Sequence, residues 1–253
     1  MMPPLRLKEM TPDEIALAIA VNPRLIVPTG TCEQHGPHLP LGSDAIIVER
    51  LADDLSAEFR IVRAPTIEYG VNAVTPEVLP GSASVRRKTL RRWLNDLLQD
   101  WELSGVEEFL VLTAHGHAPH QEALATVVTD RSRVRVVDVF AMDLSAVTDV
   151  ADGPIHGGEV DTSLMLYIAP QLVRMDLARD CILPETERRR YRRGTTMHLP
   201  SATQGSVGAP TRASAERGRL IYDFIRTRIC ERVLGVSAPP AAPAPAPAGA
   251  ATS

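Results

Sequence analysis

Residues 28–44 read PTGTCEQHGPHLPLGSD and follow a short apolar run at 25–27. An apolar run that ends in turn-forming residues predicts a buried strand, here RLIVPTG, which ends at Pro28. Beyond the loop, the segment DAIIVERLADDLSAEF carries apolar residues at helical spacing. The stretch therefore predicts a strand, a polar loop and a helix. Its loop and helix start contain four side chains able to bind metal, namely Glu33, His35, His38 and Asp44.

The strand-loop-helix pattern recurs along the chain. Further strands are predicted at 61–67, 107–114 and 133–140, and helices at 10–20, 44–59, 89–105, 121–129, 159–168 and 219–234. Strands that alternate with helices predict an α/β fold: a single domain with a mainly parallel sheet flanked by helices on both faces. We expect this domain to span residues 1–236. The Ala/Pro-rich segment 237–253 is expected to be a disordered tail.

Composition and charge exclude several classes of protein. Hydrophobic residues make up 44% of the 253-residue chain and charged residues 23%, which is typical of a globular protein. The net charge of -4 argues against a general nucleic-acid binder. The three cysteines form no Cys-x-x-Cys pair, and neither a signal peptide nor a run of about 18 apolar residues is present. We therefore expect a cytoplasmic protein without membrane or nucleic-acid partners.

Two more polar clusters follow predicted strands or open a helix. One holds His115, His117 and His120, and the other holds His156, Glu159 and Asp161. Loops at the carboxyl ends of parallel strands lie at one edge of the sheet, so the three clusters could form one site. Only one of His115 and His117 need be a ligand, since alternate residues diverge if the strand turns. The charge run at 185–193 is interpreted as a solvated helix or loop.

Carboxylates and imidazoles in this mixture are suited to zinc, manganese or iron. A bridging carboxylate with flanking nitrogen and oxygen ligands could hold two divalent ions together. The sequence therefore predicts a binuclear metal site.

The stretch 28–44 resembles the signature of the creatininase family of metal-dependent amidohydrolases, Gly-Ser/Thr-x-Glu-Gln-His-Gly-Pro-His-Leu-Pro-Leu-x-x-Asp. Three further segments are similar to family motifs in the same order: LVLTAHGHAPHQEAL, HGGEVDTSLML and GSVGAPTRASAERG. The resemblance covers residues 20–235. It implies a creatininase-like fold and a homo-oligomer, since members of this family commonly form hexamers.

The resemblance also implies roles for individual residues. Glu33 and His117 would bind one metal, His35 the other, and Asp44 would bridge the two. Creatininase has a fifth metal ligand at the position where this chain has Pro119. Glu159, or failing that Asp161, would therefore supply the missing ligand of the second metal ion.

Catalytic and substrate-binding residues follow from the same comparison. His156 matches the family histidine that handles protons near the scissile bond, and we expect Asp161 to act beside it in catalysis. Ser82, His115 and His120 are expected to contact substrate. His38 is expected to be structural.

The implied activity is hydrolysis of a small or cyclic amide C–N bond, or of a formamide, by a metal-bound hydroxide. Departures from the family pattern, including His-Gly-His-Ala-Pro-His at 115–120 in place of Asn-Gly-His-Gly-Gly-Asn, disfavour creatinine itself as substrate. One alternative is a peptidase that trims a precursor peptide, of the mycofactocin type. Another is a metal-binding partner protein that is catalytically silent.

Overall fold

The computed structural model describes residues 2–73, 80–148, 156–193 and 201–236. Within them, four parallel strands form one sheet in the order β2-β1-β3-β4. The strands are β1 (Arg24–Pro28), β2 (Val62–Arg63), β3 (Glu108–Thr113) and β4 (Arg133–Asp138). The predicted parallel sheet is confirmed, while the predicted tail at 237–253 lies outside the described residues.

The described part of the chain contains seven α-helices. They are α1 (Pro12–Val21), α2 (Ser43–Phe59), α3 (Arg87–Leu103), α4 (Ala118–Ala125), α5 (Glu159–Ile168), α6 (Glu185–Arg192) and α7 (Ala215–Ile229). The charge run at 185–193 is thus helical for most of its length. None of the helices in these ranges has the length and apolarity needed to cross a bilayer.

The two faces of the sheet carry separate hydrophobic cores, because alternate strand residues point to opposite sides. Ile26 of β1 packs with buried residues of α2, α5 and α7. Its neighbours Leu25 and Val27 pack with buried residues of α1, α3 and α4. Helices therefore cover both faces, as the sequence predicts.

Several boundaries differ from those predicted. Helix α4 begins at Ala118 rather than at residue 121, because Pro119 is accommodated in the first turn, where no backbone N–H is needed. Strand β2 comprises only Val62–Arg63, although Ile67 still forms a bridge with Thr29. Helix α7 begins at Ala215 because the Ser214 side chain accepts the N–H of Arg217.

The loop after β1 is held tightly against its neighbours. The N–H of Thr29 donates to Leu112 O and that of Gly30 to Ile67 O, which extends the sheet beyond the end of the strand. A Cβ on Gly30 would lie 2.4 Å from the backbone nitrogen of Ala45, so only glycine allows α2 to start this close. The first polar cluster is therefore fixed at the carboxyl edge of the sheet.

Replacing Gly218 by alanine tests the close packing of α5 against α7. A Cβ at this position would lie 1.8 Å from Ser163 O, so the helices must move apart. We expect Gly218→Ala to lower the free energy of unfolding by about 1–3 kcal/mol, although alanine favours helix formation. Urea denaturation measures the change. The control Glu216→Ala, at an exposed position of the same helix, should change stability little, and an equally stable G218A would contradict the packing.

Glu102 of α3 gives the fold a pH-dependent contribution. Hydrogen bonds from Ser132, and from the backbone N–H groups of Arg131 and Asp130, lower the pKa of Glu102 from 4.5 to about 2. A carboxyl with a lowered pKa stabilises the fold above its unfolded pKa and loses that effect as pH falls through the folded one.

We therefore expect Glu102→Gln to be less stable than wild type above pH 5, with the difference disappearing between pH 4.5 and about 2. Chemical denaturation at a series of pH values measures this, with Glu107→Gln as an exposed control. A stability difference that stays constant with pH would show that the carboxylate charge is not responsible.

Candidate metal centre

A buried cluster of Glu33, Asp44 and His115 lies at the carboxyl edge of the sheet. His115 Nδ1 is 3.3 Å from Glu33 Oε2 and 3.2 Å from Asp44 Oδ2. Within the described ranges, this is the one group of three or more His, Cys, Asp or Glu side chains whose ligand atoms all lie within 4.8 Å of one another. All three side chains are buried.

Asp44 is shared between this cluster and His35. His35 Nε2 lies 3.1 Å from Asp44 Oδ1, on the opposite carboxylate oxygen from His115. His35 Nδ1 donates to Glu33 O at 3.0 Å, which fixes the ring and turns Nε2 toward Asp44. The geometry of Asp44 is that of a carboxylate able to bridge two cations.

Helix α2 places Asp44 in its first turn, where the helix dipole favours a negative charge. The preceding loop is held by Glu33 N, which donates to Leu41 O. Gln34 N also donates to Ser82 Oγ at 2.9 Å. Ser82, predicted to contact substrate, thus positions the loop that carries the ligands.

Buried charges strongly shift the pKa values of this cluster. Burial opposes the charged imidazole, yet Asp44 raises the pKa of His35 to about 10. His115 is likewise opposed by burial, but Glu33 and Asp44 raise its pKa to about 9. Burial would raise the pKa of Asp44, yet the two imidazoles hold it well below its usual range. The buried carboxylates therefore stabilise positive charge at this position.

The donor atoms fit a divalent metal. Glu33 Oε2, Asp44 Oδ2 and His117 Nε2 are buried and form no hydrogen bond within the described structure. Buried polar atoms without partners are costly, and a bound cation would satisfy them. Carboxylate and imidazole ligands suit zinc, manganese or iron.

The three histidines of the second cluster share one backbone partner, Val71. His115 Nε2 and His117 Nδ1 donate to Val71 O at 3.0 and 2.8 Å, and Val71 N–H donates to His120 Nδ1 at 3.2 Å. His120 Nε2 lies 3.3 Å from Thr113 Oγ1. His120 is fully buried and secures the loop, and its predicted contact with substrate stays a prediction.

The ligand role of His117 stays a prediction: its Nε2 is buried without a hydrogen-bond partner among the described residues but does not belong to the group formed by Glu33, Asp44 and His115. The resemblance assigns His117 to the metal, but His115 is the imidazole that lies against Glu33 and Asp44. Burial, and to a smaller extent the charge of His115, lowers the pKa of His117 to about 4. Its buried Nε2 forms no hydrogen bond within the described ranges, so the lone pair on that nitrogen is free. The only sign in the sequence of this position of His115 is that a histidine stands where the family motif has asparagine.

The third cluster reaches the site through α5 and the residues before it. His156 Nε2 donates to Gln34 O at 2.5 Å, and its ring lies 4.3 Å from that of His35, centroid to centroid. Burial and the charge of His35 lower the pKa of His156 well below its usual value. His156 is therefore a neutral imidazole beside the candidate metal site.

Of the two acids on α5, Asp161 is the one whose negative charge helps to raise the pKa of His35. Burial raises the pKa of Asp161 to about 6 against the opposing charge of His35, and the N–H groups of Gly157 and Gly158 bind its carboxylate. Glu159 is also buried but forms an ion pair with Arg217. The arrangement favours Asp161, the alternative ligand from the sequence, over Glu159.

His38 lies in the same loop but is directed toward α5. Its Nε2 is 2.9 Å from Thr162 Oγ1, and its backbone carbonyl accepts the N–H of Arg174. Burial, then the charge of His35, lowers the pKa of His38 to about 4. These contacts agree with the structural role expected for it.

Comparison with known proteins identifies the family. Residues 8–233 match the profile of the creatininase family, described as creatinine amidohydrolase. The chain belongs to the creatininase family. The family resemblance seen in the sequence motifs is therefore confirmed.

Relatives within the family differ in activity. The chain is 30% identical over 221 residues, 83% of its length and 84% of the relative, to the mycofactocin precursor peptide peptidase of Mycolicibacterium smegmatis. It is 22% identical to the creatinine amidohydrolase of Pseudomonas putida, covering 83% of this chain and 88% of that enzyme. Both are hydrolases, so the family supports hydrolysis without fixing the substrate.

Solved creatininase structures share the fold. An E122Q mutant creatininase of Zn-Zn type superposes with a TM-score of 0.75 at 20% identity, covering 92% of this chain and 98% of that one. A creatininase described as Mn gives a TM-score of 0.72 at 20% identity over the same shares. Creatininase-fold proteins thus include zinc and manganese forms.

The bridging position of Asp44 can be tested by metal content. We expect Asp44→Asn to lose most of the roughly two equivalents of divalent metal that a binuclear site binds, because both candidate positions share this carboxylate. Plasma mass spectrometry of protein loaded with zinc or manganese and then desalted measures it. The control Asp54→Asn, in the same helix but bonded to Tyr222, should keep its metal. If D44N keeps as much metal as the control D54N, Asp44 does not bridge two metal ions.

Proposed function

We propose that this chain is a metal-dependent amidohydrolase that cleaves an amide C–N bond. The observation that carries the proposal is the buried cluster of Glu33, Asp44 and His115, in which two carboxylate oxygens lack hydrogen-bond partners. His35 contacts the other oxygen of Asp44. Buried carboxylate oxygens without hydrogen-bond partners are costly, and bound cations would remove that cost.

Two divalent ions, zinc, manganese or iron, are the cofactors proposed for the site. Glu33 and an imidazole of the second cluster would hold one ion, and His35 the other. Asp44 would be shared by both, and Asp161 would complete the second position in place of Glu159. When bound, such ions lower the pKa of water and polarise a carbonyl oxygen.

His156 is the residue proposed to move protons. Its neutral imidazole can accept a proton from the attacking water and deliver it to the leaving nitrogen. The hydrogen bond from Nε2 to Gln34 O and the stacking on His35 fix the ring beside the ligands.

The substrate class is a small or cyclic amide or a formamide. The second candidate is peptide trimming, favoured by the 30% identity to a mycofactocin precursor peptide peptidase. Both reactions break an amide C–N bond at the same type of site. We further propose that the protein acts in the cytoplasm as a homo-oligomer, and a hexamer measured by light scattering would support this.

Replacing His35 should abolish hydrolysis. We expect His35→Ala to lower kcat/KM by at least about 100-fold, since even outer partners of metal ligands cost 10–100-fold. The assay uses protein loaded with zinc, manganese or iron, and a panel of cyclic amides, formamides and short peptides, with products identified by mass spectrometry. Circular dichroism checks the fold.

His38→Asn is the matched control, because His38 is buried in the same loop but bonds Thr162 rather than the carboxylates. It should retain most of the wild-type activity. Cleavage confined to the peptides would favour the peptidase. No hydrolysis by wild type with any of the three metals would overturn the proposal in favour of a silent metal-binding protein.

A further inference from the structure

We propose that His115 is a metal ligand of this chain, supplying an imidazole at a position where the family motif has asparagine. The inference rests on the proposed metal-dependent function and deepens it. It concerns the identity of the nitrogen donor that joins Glu33 and Asp44.

The first support is the direction of the His115 ring. Its Nδ1 points between Glu33 Oε2 and Asp44 Oδ2, at 3.3 and 3.2 Å. Both of these oxygens are buried and form no hydrogen bond in the described structure. Three donor atoms thus surround one point.

The second support is the partner on the far side of the ring. His115 Nε2 donates to Val71 O at 3.0 Å, so Nε2 keeps its proton and Nδ1, which faces the carboxylates, is the nitrogen that would bind a cation in place of its own proton. A histidine that binds metal through one nitrogen usually donates the other N–H to a carbonyl or carboxylate. His115 has this arrangement in full.

The third support is the contrast with His120, the other position where histidine replaces the asparagine of the motif. His120 is fully buried, and its two nitrogens face Val71 N and Thr113 Oγ1. Neither nitrogen joins the carboxylate cluster. Of the two added histidines, only His115 can gain from a metal.

The His115 imidazole should also affect the metal preference of the site. An added imidazole makes the first position richer in nitrogen, and imidazole suits zinc better than it suits manganese, which prefers oxygen donors. The chain should therefore select zinc over manganese more strongly than a variant that restores the asparagine.

The test compares His115→Asn with His120→Asn. Zinc and manganese affinities are measured by competition with a chelating dye, and cobalt(II) substitution reports the ligands through its visible absorption. We expect H115N to bind zinc at least about 100-fold more weakly, to lose more zinc than manganese affinity, and to shift the cobalt spectrum. H120N should keep the wild-type cobalt spectrum.

A second measurement uses wild-type protein and does not depend on the folding of a variant. In protein labelled with ¹⁵N-histidine, zinc should move the Nδ1 resonance of one histidine while its Nε2 keeps its proton, as the bond to Val71 requires. If no histidine binds zinc through Nδ1, the inference is overturned. It is also overturned if a folded H115N keeps wild-type zinc affinity and cobalt spectrum.

The outcomes separate this inference from the proposed function. If His115 binds zinc and no amide is hydrolysed, the ligand assignment stands and the amidohydrolase fails. If wild type hydrolyses amides and H115N keeps its zinc, the enzyme stands and the ligand assignment fails.

Discussion

The carboxylate of Asp44 is the group on which the candidate site depends. It is almost fully buried, and an ionised buried carboxylate is tolerated only when positive charge compensates it. His35 contacts one oxygen and His115 lies near the other, while the first turn of α2 adds the favourable end of a helix dipole. His35 and the start of α2 belong to the same stretch of chain as Asp44, whereas His115 follows β3, so the sheet must form before both oxygens have their imidazole partners.

The backbone of Val71 holds the three histidines of the second cluster in place. One carbonyl accepts N–H groups from His115 and His117, and the N–H of the same residue donates to His120. The three histidines therefore join the loop before residue 74 to the end of β3, next to the carboxylates.

The sheet explains why these groups meet. Parallel pairing of β1 with β3 brings the loops that follow both strands to the same edge, and glycine at position 30 lets α2 approach closely. The third cluster is held at the same edge by the backbone bridge between His156 and Val207 and by the contact of the His156 ring with the ring of His35. Small departures at this edge, such as proline at 119, can alter the ligands without altering the fold.

The sequence alone determined the fold class and the family. Periodicity of apolar residues predicts the strands and helices, and the order of motifs identifies the creatininase family, because both are local patterns along the chain. It also identified Glu33, His35 and Asp44 as candidate ligands, which stay predictions until metal is measured. Tertiary structure alone decided that His115 Nδ1 lies 3.2–3.3 Å from the two carboxylates, that Glu159 pairs with Arg217, and that the charge of Asp161 raises the pKa of His35. The reason is physical: the direction of a side chain in a loop depends on distant partners such as Val71 and Arg217, which spacing along the chain does not encode.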